Sequence, residues 1–284
     1  MQHSLLDSVV ELCQRAGEAI LQVYHAEQPL EVDIKADDSP VTQADLAAHH
    51  ILAPGLEQLL PDVPVLSEEG EIADFSTRQQ WQRYWIIDPL DGTKEFIGRN
   101  GEFTVNVALI EQGIATLGVV YVPVSGVTYT GQQTVDHCSG VAQKRSEGST
   151  RNIQVRRLPA PSSESAPIKV VASRNHNPPP VEALLQDLEQ RLGPVVTTSM
   201  GSSLKLWQSA EGVADFYARL APTCEWDTAA AQAVVEAAGG AVLSDSLEPL
   251  RYNTKESLLN PHFHVIGDTS QPWREWLSQP FSQP

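Results

Sequence analysis

Four acids stand at the ends of predicted elements: Glu68, Asp88, Asp91 and Asp227. Two of them share one string, Asp88-Pro89-Leu90-Asp91-Gly92-Thr93. Tyr84 to Ile87 reads as a buried strand, and Asp88 emerges at its end, where α/β proteins place their sites. Pro89 has no N–H to donate and holds Asp88 extended. Three residues on, a turn can return Asp91 to the side of Asp88. Paired carboxylates supply oxygens and charge to a hard divalent cation, and the Leu90 carbonyl between them is a further candidate ligand. Gly92 lets the backbone approach an anion, its neighbouring N–H groups can form a nest, and Thr93 adds a hydroxyl. Metal ions beside N–H donors are what transfer of a phosphoryl group to water requires, because they acidify a bound water and stabilise the leaving oxygen. The chemistry such an arrangement would suit is metal-dependent transfer of a phosphoryl group to water.

Each feature also has a plain structural account. Asp-Pro and Asp-Gly are ordinary turn dipeptides. Glu68-Glu69-Gly70 suits a solvated loop. Asp227 suits the first turn of a helix, and Thr42 with Asp45 forms a capping box at another. Spacing alone leaves both accounts open.

The elements that must position these residues follow from periodicity. Leu5, Val9, Cys13, Ala16, Ile20 and Val23 predict an amphipathic helix over about residues 4–25. An extended, polar connection follows over about 30–41. Thr42 opens a second helix, with a kink or break predicted near residue 53 because Pro54-Gly55 lies inside it. Val63–Leu66 and Tyr84–Ile87 read as strands, and Val105–Ile110, Leu117–Val122 and Val127–Thr130 as an antiparallel meander. Residues from about 131 to 167 are turn-rich and polar, suiting loops or an edge hairpin. Beyond them, strands at Ile168–Ala172, Val195–Thr198, Ala214–Ala218 and Ala241–Leu243 alternate with helices at Val181–Leu192, Ser203–Ala210 and Asp227–Ala238. The tail from Pro272 is expected to fray unless Trp273 and Trp276 dock. The class is α/β or α+β, with an amino-terminal half over 1–150 holding most of the candidate ligands and a carboxy-terminal half over 151–284 holding Asp227.

The chain has 284 residues, with 36 Asp plus Glu against 19 Lys plus Arg, a formal net charge of −17. Without a dense basic stripe it is unsuited to a nucleic-acid backbone, although metal ions can still supply local positive charge for a phosphate. Three cysteines, none in a CxxC pair, suggest neither a disulfide framework nor a zinc site. The amino terminus does not read as a signal peptide, and no apolar run suggests a membrane-spanning segment. The expected location is the cytoplasm, with the periphery of the inner membrane as an alternative, and the chain is expected to be a monomer or a homodimer.

The full strings carry more than the spacing. Trp85 to Thr93 and Trp226-Asp227-Thr228-Ala229-Ala230 resemble the two signatures of the inositol monophosphatase superfamily. Leu66-Ser67-Glu68-Glu69 and Ser39-Pro40-Val41-Thr42-Gln43-Ala44-Asp45 match two further motifs, all in family order. Lys94-Glu95-Phe96-Ile97, Gly101 to Asn106, Ser173-Arg174-Asn175-His176 and Gly201-Ser202-Ser203-Leu204-Lys205 are similar to the 3'(2'),5'-bisphosphate nucleotidases of the CysQ type. The resemblance covers about 5–268 and is weak over 131–165, at the tail and at Pro54-Gly55. It implies a layered αβαβα sandwich of the inositol monophosphatase and fructose-1,6-bisphosphatase type. It implies two Mg²⁺ ions, with Glu68 holding a third through water. Glu68, Asp88 and the Leu90 carbonyl would bind the first ion, and Asp88, Asp91 and Asp227 the second. Asp91, Gly92 and Thr93 would contact the scissile phosphate, and Thr93, oriented by Asp45, would activate the water. Lys205, Arg174 and His176 would contact the substrate's phosphates. The substrate implied is adenosine 3',5'-bisphosphate, cleaved to AMP and phosphate in a step linked to sulfur metabolism, with inhibition by lithium.

Three rivals remain at this stage. Ser202-x-x-Lys205 formally matches a serine acyl-enzyme motif, but the companion Lys-Thr-Gly is absent. A non-catalytic phosphate- or metal-binding protein would keep the same acids. An inositol phosphatase, or an enzyme acting on another small sugar phosphate, would share the fold and the metal site.

Overall fold

In the computed structural model the described residues are 4–26, 32–34, 40–158, 167–172, 179–199 and 206–277. The first layer is a helical pair, α1 (Leu5–Tyr24) and α2 (Gln43–Leu59). Ser4 caps α1, its hydroxyl oxygen accepting the Asp7 N–H at 3.2 Å. Between the helices, β1 (Val32–Ile34) and β2 (Pro40–Thr42) pair antiparallel within the predicted extended connection.

The expected break near residue 53 is absent, for α2 runs through Pro54 to Leu59. Proline removes one backbone bond and typically costs about 3 kcal/mol in a helix interior. Tertiary packing offsets it. Leu52 and Leu56 are fully buried, and a Cβ at Gly55 would lie 2.4 Å from the Leu12 side chain, so α1 nests against this turn.

The second layer is a seven-stranded sheet in the order β3-β4-β5-β6-β7-β8-β9. Its strands are β3 (Val65–Ser67), β4 (Arg83–Asp91), β5 (Thr104–Glu111), β6 (Ile114–Val122), β7 (Val127–Gln133), β8 (Gly140–Ser146) and β9 (Ser149–Asn152). β3 and β4 run parallel and the remaining neighbours antiparallel, so β8 and β9 supply the edge hairpin. The short helices α3 (Phe75–Arg78) and α4 (Thr93–Ile97) flank β4 in sequence. Successive β4 residues serve opposite cores. Trp85 and Ile87 join the cluster under α1 and α2, whereas Tyr84 and Ile86 join the cluster on the other face. A sheet covered on both faces needs apolar side chains at every position, which is why Tyr84–Ile87 has no polar alternation.

Helix α7 (Glu225–Ala237) covers that second face. It approaches the sheet at two glycines: a Cβ at Gly118 would meet the Ala230 carbonyl at 2.2 Å, and one at Gly131 the Ala233 carbonyl at 2.4 Å. The alanine-rich face of α7 and these glycines are one device for bringing backbones together. Helix α6 (Leu206–Ala210) shares this layer. A five-stranded sheet follows, ordered β11-β10-β12-β14-β13. It comprises β10 (Ile168–Ala172), β11 (Val195–Ser199), β12 (Phe216–Arg219), β13 (Ala241–Ser244) and β14 (Phe263–Ile266).

The outer layer is α5 (Pro179–Leu192) with α8 (Trp273–Leu277). Leu184, Leu188, Phe216 and both tryptophans of α8 form its core. The tail therefore does not fray over 273–277: Trp273 and Trp276 dock edge to face at 5.0 Å, and the Trp273 indole N–H donates to the Asp268 carbonyl at 2.8 Å. The order helix, sheet, helix, sheet, helix is the expected αβαβα sandwich. Among the described residues, no helix is long and apolar enough to cross a membrane.

Candidate active site

The β3–β4 pairing brings the first two acids together. The Glu68 N–H donates to the Ile87 carbonyl at 3.2 Å, so Glu68 leaves β3 as Asp88 ends the apolar run of β4. Past Asp88 the ladder to β5 slips. Asp88 pairs with Asn106 but Asp91 with Thr104, so β4 spends one residue more than β5 over this stretch. Such a bulge re-aims side chains at a strand end. Within it, the Leu90 N–H donates to Asp88 Oδ1 at 3.1 Å. The Asn106 amide donates to Asp91 Oδ2 at 3.3 Å, and the Thr104 hydroxyl, donating to Asn106 Oδ1 at 3.2 Å, fixes the direction of that amide. Leu90 is buried between the two acids in the chain.

Gly92 turns the strand into α4 with φ +95°, a left-handed conformation natural only to glycine. A Cβ there would stand 3.1 Å from the Glu102 carbonyl oxygen. Thr93 opens α4, and its hydroxyl donates to Asp45 Oδ1 at 3.3 Å. The other oxygen of Asp45 accepts the Thr42 N–H at 2.8 Å and the Thr42 hydroxyl at 2.6 Å, the predicted capping box of α2.

Asp227 arrives from α7. It is the third helical residue, and its Oδ2 accepts the Cys224 N–H at 2.7 Å. Glu68, Asp88 and Asp227 each present a carboxylate oxygen within 4.8 Å of the others. Burial, followed by the charges of Glu68, Asp91, Asp227 and Asp45, pushes the Asp88 carboxyl well above its ordinary range. Asp227 is pushed up to about 6, burial leading and Glu68 adding repulsion, while the Cys224 N–H and the Arg219 charge oppose the rise. Burial likewise raises Asp45. Carboxylates held this close favour either a shared proton or a cation. An oxygen-only donor set of this charge fits a hard divalent ion such as Mg²⁺.

Beside the cluster opens a cleft of about 320 Å³ lined by Asp91, Lys94, Tyr217, Arg219, Thr223 and Asp227, among others. Asp91 thus stands on the wall shared by acids and cleft. Arg219, Tyr217 and Thr223 were not visible as site residues in the sequence. The available signal was an arginine closing the otherwise apolar strand Phe216–Arg219, eight positions before Asp227. Lys205, Arg174 and His176 lie outside the described residues.

The chain matches the model of the inositol monophosphatase family over residues 1–273. It belongs to that family. It is 50% identical over 261 residues to the 3'(2'),5'-bisphosphate nucleotidase CysQ of Escherichia coli (strain K12), covering 92% of this chain and 99% of the relative. The CysQ nucleotidase of Haemophilus influenzae is 35% identical over 277 residues, 96% of this chain and 97% of the relative. Among solved structures, CysQ from Bacteroides thetaiotaomicron, described as a bacterial member of the inositol monophosphatase family, superposes with a TM-score of 0.74 at 39% identity, covering 92% of this chain and 96% of that one. The suppressor protein SuhB from Bartonella henselae gives a TM-score of 0.72 at 23% identity over 99% of both chains, a likeness of fold.

Proposed function

We propose that this chain hydrolyses the 3'-phosphate of adenosine 3',5'-bisphosphate to AMP and phosphate in a Mg²⁺-dependent reaction. The observation that carries the hydrolysis is the convergence of Glu68, Asp88 and Asp227 beside the hydrogen-bonded pair Thr93 and Asp45. The substrate rests on the relatives, which are nucleotidases at up to 50% identity across nearly their whole length.

Glu68, Asp88 and the Leu90 carbonyl would hold one ion, and Asp88, Asp91 and Asp227 a second, with Glu68 reaching a third through water. When bound, these ions supply an acidified water and charge stabilisation at the leaving oxygen. The chain's own residues do the rest. Thr93 donates its proton to Asp45, which leaves the hydroxyl lone pairs to accept a hydrogen bond from the attacking water. Asp91, Gly92 and Thr93 line the place of the scissile phosphate, with backbone N–H groups offered to its oxygens. The water oxygen forms the new P–O bond and carries one of its protons into the released phosphate, the bond from phosphorus to the ribose 3'-oxygen breaks, and the water's other proton ends on that leaving oxygen. Asp227 comes from the half we assign to 151–284 and the other candidate ligands from 1–150, so the site would be completed only when both halves are in place.

The test is a side-by-side assay of phosphate release from adenosine 3',5'-bisphosphate, inositol 1-phosphate and fructose 1,6-bisphosphate, with Mg²⁺ and with chelator. The nucleotide should be cleaved fastest, and only with Mg²⁺. A preference for either of the other two would overturn the substrate assignment. Mg²⁺-dependent release from any of them excludes a purely binding role.

A further inference from the structure

The amino-terminal turn of α7 carries Asp227, and a distant loop grips it. The Glu225 N–H donates to the Leu258 carbonyl at 2.8 Å, and the Asn260 amide donates to the Cys224 carbonyl at 2.7 Å and to Thr228 Oγ1 at 3.1 Å. Glu225 is only 1% exposed, and its two carboxylate oxygens accept the single Asn253 N–H at 3.0 and 2.9 Å. Asn253 can present its N–H there because it holds φ +56°, a conformation that asparagine tolerates better than most residues.

What holds Asn253 is Arg78, at the end of α3 and 2% exposed. Arg78 Nη1 donates to Asn253 Oδ1 at 2.5 Å and to the Lys255 carbonyl at 3.2 Å. Its Nη2 donates to the Glu256 carbonyl, and the Asn253 amide returns a bond to the Arg78 carbonyl. Arg78 is itself steadied: Asp74 caps its helix, accepting the Thr77 N–H at 2.8 Å, and the guanidinium stacks 4.9 Å from the Phe75 ring. A planar fork addressing a side-chain oxygen and two carbonyls fixes geometry in a way a lysine ammonium cannot.

We propose that Arg78 is a positioning residue for the metal site: through Asn253 and Glu225 it sets the first turn of α7, and with it the carboxylate of Asp227. The proposal rests on Asp227 being a ligand, as argued above. Asp227 lies two residues beyond Glu225 on the same turn, and its own Oδ2 is bonded to the Cys224 N–H within that turn. Partners of metal ligands commonly control affinity by 10–100-fold when removed, by the general behaviour of outer-shell contacts.

The test is Mg²⁺ binding to the full chain by isothermal titration calorimetry, without substrate, for wild type, Arg78→Lys, Asn253→Gly and Arg156→Lys. Asn253→Gly keeps the N–H given to Glu225 and tolerates φ +56°, but loses both side-chain bonds to Arg78. Arg156 serves as the control. Its guanidinium pairs with Asp215 and the Pro167 carbonyl, partners outside the α7 turn. Arg78→Lys and Asn253→Gly should each weaken Mg²⁺ binding about tenfold or more, while Arg156→Lys stays within about twofold. A merely structural role predicts instead that the two arginine variants lose thermal stability alike and both keep their affinity. A folded Arg78→Lys within about twofold of wild type overturns the proposal; should that variant not fold, Asn253→Gly decides on the same threshold. A wild type that binds no Mg²⁺ overturns the ligand assignment itself, and this proposal with it.

Discussion

Consider Asp227→Asn in protein stripped of divalent ions. Burial, with the charge of Glu68 adding to it, pushes the Asp227 carboxyl from the ordinary 3.8 up to about 6. A raised carboxyl pKa destabilises the fold, because ionisation is harder there than in the unfolded chain. The penalty is absent below the ordinary value, grows as pH rises through about 6, and is complete above it. A rise of that size is worth on the order of 3 kcal/mol at pH 8. Asparagine removes the penalty, and its carbonyl still accepts the Cys224 N–H, whose preference for the carboxylate is already counted in the value of about 6. The variant should therefore be more stable than wild type in chelator at pH 8 by about 3 kcal/mol, a rise in Tm of roughly 5 °C for a chain of this size. The gap should close near pH 4. Mg²⁺ should invert the order. An ion at a thousandfold excess over its Kd stabilises wild type by about 4.1 kcal/mol, and the variant should gain far less. Thermal melts followed by circular dichroism, at both pH values, with chelator and with Mg²⁺, give every term. A variant less stable than wild type in chelator at pH 8 refutes the electrostatic argument. One that gains as much from Mg²⁺ as wild type refutes Asp227 as a ligand.

Two further substitutions test neighbouring residues. Asp91→Asn should abolish turnover while leaving the circular dichroism spectrum unchanged, since it removes charge without changing volume; near-normal activity at low Mg²⁺ would be incompatible with the two-ion assignment. Gly92→Ala must hold φ +95° and place a Cβ 3.1 Å from the Glu102 oxygen. It should lower stability by about 1–3 kcal/mol and slow turnover, and an unchanged Tm would show that the turn is not constrained as described.

The residues that were legible in the sequence are those whose role is local. Tyr84–Ile87 announces a strand buried on both faces, and α1 announces itself by its apolar spacing. Pro54 misled because the intrinsic cost of proline is local while its compensation is not: Leu12, some forty positions away in sequence, supplies the contact. Trp273 was ambiguous for the same reason, since it stacks on Phe216 of β12, far away in sequence. Arg219 escaped notice because one arginine at a strand end has no pattern. Glu225 escaped because nothing within ten residues of it hints at Asn253.

The capping reading and the catalytic reading of Asp45, set against each other in the sequence, turn out not to compete. A carboxylate has two oxygens. Asp45 spends Oδ2 on the Thr42 N–H and hydroxyl, closing the first turn of α2, and offers Oδ1 to Thr93. Asp227 does the same in α7, with Oδ2 on the Cys224 N–H. The helix start is therefore the device that aims the second oxygen, and a rigid aim is what a reactive site needs. Asparagine at 45 separates the two jobs, because it has one acceptor oxygen and one donor nitrogen. The cap carries two donors and would keep the oxygen, so the amide nitrogen would face Thr93 and donate to its hydroxyl. Thr93 would then present a proton, not a lone pair, toward the water. Asp45→Asn should fold and bind Mg²⁺ as wild type does, yet lose about 10²–10⁴ in kcat, the usual worth of general acid–base assistance. Calorimetry beside steady-state kinetics separates the outcomes. A variant that keeps wild-type kcat would show that Thr93 needs no acceptor at Asp45, and the water-activating pair would have to be abandoned.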